Sequence, residues 1–224
     1  MGDDAAERHV RGFTERDGLA VVELDDEERA VVARIVADVG LLLGGEAFGV
    51  YSMSQRPERD EADEIFAHLS GLEESLAEPD DPAILRLLPN AAPTDREVAS
   101  EFRRLTEGDL RDTKVARLRL LWEQLSEDGP EWEVQVEDAM ATAAALTDVR
   151  LVLASRLSLN TDEDADRLHT EIELAEHALD TDADEDLMVD PERVWLGMLY
   201  QALTWLQESL IAIVMSSEER GRNE

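Results

Sequence analysis

The residues with the most chemistry to offer are cations at odds with their helices: Arg103, Arg104, Arg111, Lys114 and Arg150. At helical spacing, Arg111 and Lys114 fall inside the apolar arc of Leu110, Val115, Leu118 and Leu121, not opposite it. Arg150 likewise shares a face with Ala143, Leu146, Ala154 and Leu157. An unpaired charge in such a place costs several kcal/mol, so each must meet a carboxylate or open into a cleft. Two arrangements satisfy that demand. In the first, the cations pair with acids such as Glu101, Asp148 or Glu208 and set the helix register. In the second, they line a basic pocket for an anionic ligand or for an acidic segment of a partner. The planar guanidinium suits bidentate pairing of either kind.

Other chemistry is thinner. His169, Glu173 and His177 are four residues apart and share one helix face, a spacing that can hold zinc. The surrounding segment is acidic and polar, so a solvated face is the reading adopted, and no metal or cofactor is assigned. There is no Gly-rich phosphate loop, nucleophile elbow or Ser/His/Asp constellation, hence no catalytic residue. Cysteine is absent, which excludes disulfides, thiol catalysis and thiolate metal sites. With 54 acids against 21 bases the net charge is −33, and Lys114 is the only lysine. Such a field repels nucleic acid and anionic lipid. The acidic start, Met1–Glu7, has no apolar run behind it, so a cytoplasmic location is expected.

The elements that must position these groups read as mainly α. The pattern predicts a helical bundle around a central C-terminal helix, with a small N-terminal β-hairpin. One helical domain is expected over 12–216, with an acidic insert at about 160–189 and flexible tails at 1–11 and 217–224. Pro191–Met215 is the expected centre: Asp190 caps it, Pro191 suits its first position, and Trp195, Leu199, Ala202, Leu203, Leu206, Leu210, Ile213 and Val214 share one face. Met198 and Trp205 widen that face, and Gly197, Gln201, Thr204 and Glu208 form a narrow polar strip. A helix so apolar should be covered by neighbours, and its polar residues make it a poor membrane span.

Asp17-Gly18 marks the hairpin turn. Asp25 with Glu28 forms a capping box opening a helix whose stripe is Val32, Ile35, Val36, Val39 and Leu43, ended by Gly44-Gly45. Further helices are expected over Glu61–Leu76, Ala83–Leu88, Asp95–Leu105, Glu107–Ser126 and Glu137–Leu159, with Thr94 and Thr106 as caps. Val134 and Val136 suit extended chain, and Asp180–Asp186 reads as a linker.

Taken together, Leu87-Leu88-Pro89, Glu101–Thr106 (EFRRLT), Asp109-Leu110-Arg111 with Lys114, Leu146–Leu157 and Trp205–Leu210 (WLQESL) resemble the actinobacterial domain-of-unknown-function 2017 family, over about Gly12 to Met215. The resemblance implies an intracellular helical protein, sometimes labelled a transcriptional or stress regulator, with no assigned catalysis.

Three functions are weighed. The first is a non-enzymatic regulatory or adaptor protein acting by protein–protein contact, with Arg103, Arg104, Arg111 and Lys114 as the contact surface and a homodimer left open. The second is DNA binding through a helix pair over 95–126, bent at Thr106; Glu107, Asp109 and Asp112 on its second helix oppose it. The third is a sensor or enzyme for an anionic ligand, with a pocket around Arg111 and Arg150.

Overall fold

The computed structural model describes residues 12–46, 48, 79–181 and 190–221. The helix expected at 61–76, the tail at 1–11 and the linker from residue 182 onward lie outside the described residues. In chain order, the described elements are β1 (Thr14–Arg16), β2 (Leu19–Glu23), α1 (Asp26–Leu42), α2 (Pro82–Leu87), α3 (Arg96–Leu125), β3 (Glu131–Gln135), α4 (Ala139–Arg156), α5 (Asp162–Thr181) and α6 (Pro191–Gly221).

The hairpin forms where Asp17-Gly18 places it. Both residues have positive φ, 52° and 82°, as a two-residue turn between right-twisted strands requires. A pair of strands alone is marginal, and here β3 completes a three-stranded antiparallel sheet in the order β1-β2-β3. Ala20 faces Val134 and Val22 faces Trp132 across β2 and β3. Phe13 meets the buried Trp132 edge to face at 4.9 Å.

The capping box of α1 is present: Glu28 N–H donates to Asp25 Oδ1 at 2.8 Å, and Asp25 N–H donates to Glu28 Oε2 at 2.9 Å. Val32, Val36 and Val39 bury its stripe. The two helices expected over 95–126 are one. α3 starts at a cap made by Asp95, not Thr94, whose Oδ1 accepts from Glu97 and Val98 N–H. At the expected junction the Thr106 hydroxyl donates to Phe102 O at 2.9 Å, the back-bonding that lets threonine sit inside a helix. Arg103, Glu107 and Arg111 also form an i,i+4 ladder across it. The bend needed by a helix–turn–helix is therefore absent from 95–126.

The terminal helix packs most closely on α4, which is the most widely connected helix among the described residues. The alanines of α4 let neighbours approach closely, and Ala139, Ala143, Ala145, Leu146, Val149, Val152 and Leu153 are all buried. This helix touches α1, α2, α3, α6 and β3. α6 lies on α4, α5 and β1. Leu199, Leu203, Leu206, Leu210, Ile213 and Val214 bury its inner side. It runs past the expected tail start to Gly221, where the Ser216 and Ser217 hydroxyls donate back to Ala212 O and Val214 O, and Arg220 pairs with Glu15. Within the acidic stretch after residue 160, the apolar spacing of Leu168, Ile172 and Ala175 marks the amphipathic helix α5. There α5 buries Leu168 and Ile172 in a small second core with Ala154, Leu157 and Leu159. Gly197, expected on the polar strip, is buried under α5: a Cβ there would stand 2.8 Å from Leu168 Cδ1.

Candidate functional site

The cations singled out by sequence resolve into separate systems. Arg103 Nε lies 3.0 Å from Glu107 Oε2, and Arg111 Nη2 donates to Glu107 Oε1 at 2.8 Å. Arg111 Nη1 also donates to Leu43 O at 2.8 Å, where α1 ends and carbonyls are without helical partners. Glu107 is thus a buried anion bridging two arginines of its own helix, and Arg111 ties α3 to α1. Lys114 Nζ lies 2.5 Å from Oδ1 of Asp148, which is 2% exposed on α4. Burial pushes the Asp148 carboxyl above its usual range, although the Lys114 bond and the Lys114 and Arg117 charges pull the other way. Its Oδ2 has no protein partner among the described residues.

Among the described residues Arg150 meets no carboxylate at its guanidinium tip. Its Nη1 donates to Gln207 Oε1 at 2.5 Å, and its Cζ stands 5.3 Å from the Tyr200 ring centroid. Gln207 continues inward to Thr147 Oγ1 at 2.6 Å and Ala143 O at 3.2 Å. The expected acceptor, Glu208, is the next residue along and points outward because one helical step rotates it by about 100°. Arg104 is exposed and pairs with Glu101 at 2.7 Å, which holds the Glu101 carboxyl below its usual range. The structure therefore brings Arg103 and Arg111 together through Glu107, puts Lys114 and Arg150 on different partners, and leaves Arg104 outside. Among the described residues Arg111 and Arg150 share no partner: the first meets Glu107 and Leu43 O, the second Gln207 and Tyr200. These contacts stitch α1 to α3, α3 to α4 and α4 to α6.

Sequence reasoning missed a sixth cation of the same type. Arg29 is 4% exposed and reaches the end of α3. Its Nε donates to Leu125 O at 3.3 Å, and its two terminal nitrogens reach the carbonyls of Gln124, Glu127, Gly129 and Glu131. A cation there satisfies the last-turn carbonyls and suits the negative end of the helix dipole. Its spacing from Val32 and Val36 in the buried stripe was the available signal.

His169 Nε2 is 3.2 Å from Glu173, and His169 Nδ1 is 3.1 Å from Gln201 Nε2. The described residues hold no cluster of three groups able to take a metal.

Among the described residues, large exposed apolar side chains group in two places: Val98, Phe102, Leu105 and Leu110 on α3, and the outer face of α6. Trp195, Met198, Trp205 and Met215 are 48%, 44%, 53% and 61% exposed. Trp195, Met198, Ala202 and Trp205 recur at steps of three and four and share one side of the helix, and Ala212 and Met215 lie progressively further round it. Trp195, Met198, Ala202 and Trp205 were expected to be covered; the covering helices reach only the other side. Two clefts flank the stripe and share its tryptophans. One, of about 470 Å³, is lined by Val31, Ile35 and Leu42 of α1, Leu153 of α4, and Trp195 and Leu196. The other, of about 310 Å³ between α5 and α6, has Asp166, His169, Tyr200, Thr204, Trp205 and Glu208 on its walls. By length and composition α6 could cross a membrane, the one such helix among the described residues. Its inner side is nevertheless packed on α4, and Gln207 and Glu208 lie in its middle.

A family model for a domain of unknown function, DUF2017, matches residues 10–214. No curated protein and no solved structure matches the chain.

Proposed function

The chain belongs to the DUF2017 family, and from that premise we propose that it is a non-enzymatic cytoplasmic regulatory or adaptor protein that acts by protein–protein contact through the outer face of α6. The observation that carries this reading is a row of tryptophan and methionine side chains in solvent on a helix whose opposite side is core. Contiguous exposed apolar surface on a folded chain is a mark of an interaction site. Tryptophan dominates binding energy at protein interfaces, and methionine adapts its shape to a partner. The arginines first considered for this role are engaged with Glu107, Glu101, Leu43 O and Gln207, so the contact surface moves from them to α6. DNA binding through 95–126 finds no support in an unbroken α3, and the anionic-ligand reading finds no partner shared by Arg111 and Arg150 among the described residues.

Co-purification from the native host tests the proposal, comparing the wild-type chain with a Trp195→Ser/Trp205→Ser variant. Both should fold alike by circular dichroism. The variant is expected to lose the specific partners. A partner set that survives the double substitution unchanged would contradict this surface.

A further inference from the structure

We infer that the partner element seated on α6 is a cationic amphipathic helix of another protein, a conclusion that rests on the contact surface proposed above. The stripe from Trp195 to Trp205 spans ten residue steps, roughly 15 Å at 1.5 Å per residue, the reach of about three turns of a helix laid alongside. It is bordered by concavities: the α1–α4–α6 cleft beside Trp195 and the α5–α6 cleft beside Trp205. A convex apolar ridge between two clefts suits helix-in-groove recognition, in which large apolar residues at helical spacing act as anchors.

Charge decides which helix. The α5–α6 cleft sets the carboxylates of Asp166 and Glu208 beside the aromatic rings of Tyr200 and Trp205. Neither carboxylate meets a cation among the described residues. The nearby arginines are already held: Arg193 by Glu171 at 2.7 Å, Arg150 by Gln207 and Tyr200, Arg220 by Glu15. His169, on the same wall, is tied to Gln201 and Glu173. A lysine or arginine entering there would meet the acids Asp166 and Glu208 and the ring of Trp205, each attractive to a cation. The other candidate occupant, a second copy of this chain, would bring a second charge of −33 against the first. Long-range repulsion of that size opposes self-association and speeds the approach of a basic partner.

The test uses the full chain and a tryptophan-free 18-residue peptide of leucine and lysine patterned for one apolar helical face. Its controls are a scrambled peptide of the same composition and a leucine–glutamate twin. Tryptophan emission is followed in about 150 mM salt, where long-range attraction is screened. The patterned cationic peptide should shift emission to the blue and bind at least tenfold tighter than the scrambled one, and the acidic twin should not bind. Asp166→Asn/Glu208→Gln should weaken binding at least tenfold, with helix content unchanged by circular dichroism. Equal binding of patterned and scrambled peptides would overturn the inference, because attraction would then be electrostatic alone. Undiminished binding by Asp166→Asn/Glu208→Gln, with loss in Trp195→Ser/Trp205→Ser read by calorimetry, would overturn the cationic partner and leave the contact surface standing. Undiminished calorimetric binding by the tryptophan double variant would remove both. Concentration-dependent dimerisation through the stripe would overturn the inference in favour of a second copy.

Discussion

On α6, Leu199, Leu203, Leu206 and Leu210 are packed against the bundle, while Trp195, Met198 and Trp205, one helical step or two away, stand in solvent. Both sides carry large apolar residues, but Gln201, Thr204 and Glu208 interrupt the outer one, and the two also differ in shape. The inner side offers compact aliphatic residues to an alanine-rich α4, where close packing stabilises every methyl group. The outer side offers large flat or flexible side chains that the fold only half covers. The first side holds the molecule together, and the second is free to hold something else.

The largest effect should appear where the inner contacts include charge. Asp148→Ala leaves Lys114 buried without its anion and should destabilise the fold by about 4 kcal/mol. Replacing both residues with apolar ones of similar volume should restore much of that loss, as chemical denaturation of the two variants would show. A pH scan sharpens the point. Because burial raises the Asp148 pKa, the folded chain keeps that proton at a pH where the unfolded chain has lost it. The contribution is therefore complete below the unfolded value and lost as pH rises through the folded one, and Asp148→Asn should flatten that segment of the stability curve. Next, Leu206→Ala empties a fully packed inner site and should cost about 3 kcal/mol. Trp205→Ser, one residue away on the outer side, should change stability by less than about 0.5 kcal/mol in the same assay. Comparable losses at 205 and 206 would erase the distinction between the two sides.

Much of the architecture was readable from periodicity and local chemistry. The capping box at Asp25 and Glu28, the Asp17-Gly18 turn and the Asp190-Pro191 start each depend on residues close in sequence, and each occurs as read. What failed depended on distance. A helical wheel shows that α6 is apolar on most sides, but the number of helices that reach it is a property of the whole chain. The continuity of α3 through Thr106 followed from side chains four residues apart, whose ladder outweighed a competing cap. The buried cations were readable as a problem, and Asp148 and Glu101 were named among their partners. Glu107 was missed because it was weighed only as an acid near a helix start, and Arg29 because its carbonyl partners lie about 100 residues ahead.

Acrylamide quenching of two single-tryptophan variants, one retaining only Trp205 and the other only Trp132, with phenylalanine at the remaining tryptophans, compares the outer side of α6 with the core directly. The account predicts red-shifted, readily quenched emission from Trp205 and blue, shielded emission from Trp132, with neither depending on protein concentration. A shielded Trp205 in the isolated monomer would mean that the outer side is already covered, and the contact surface assigned to it would fall.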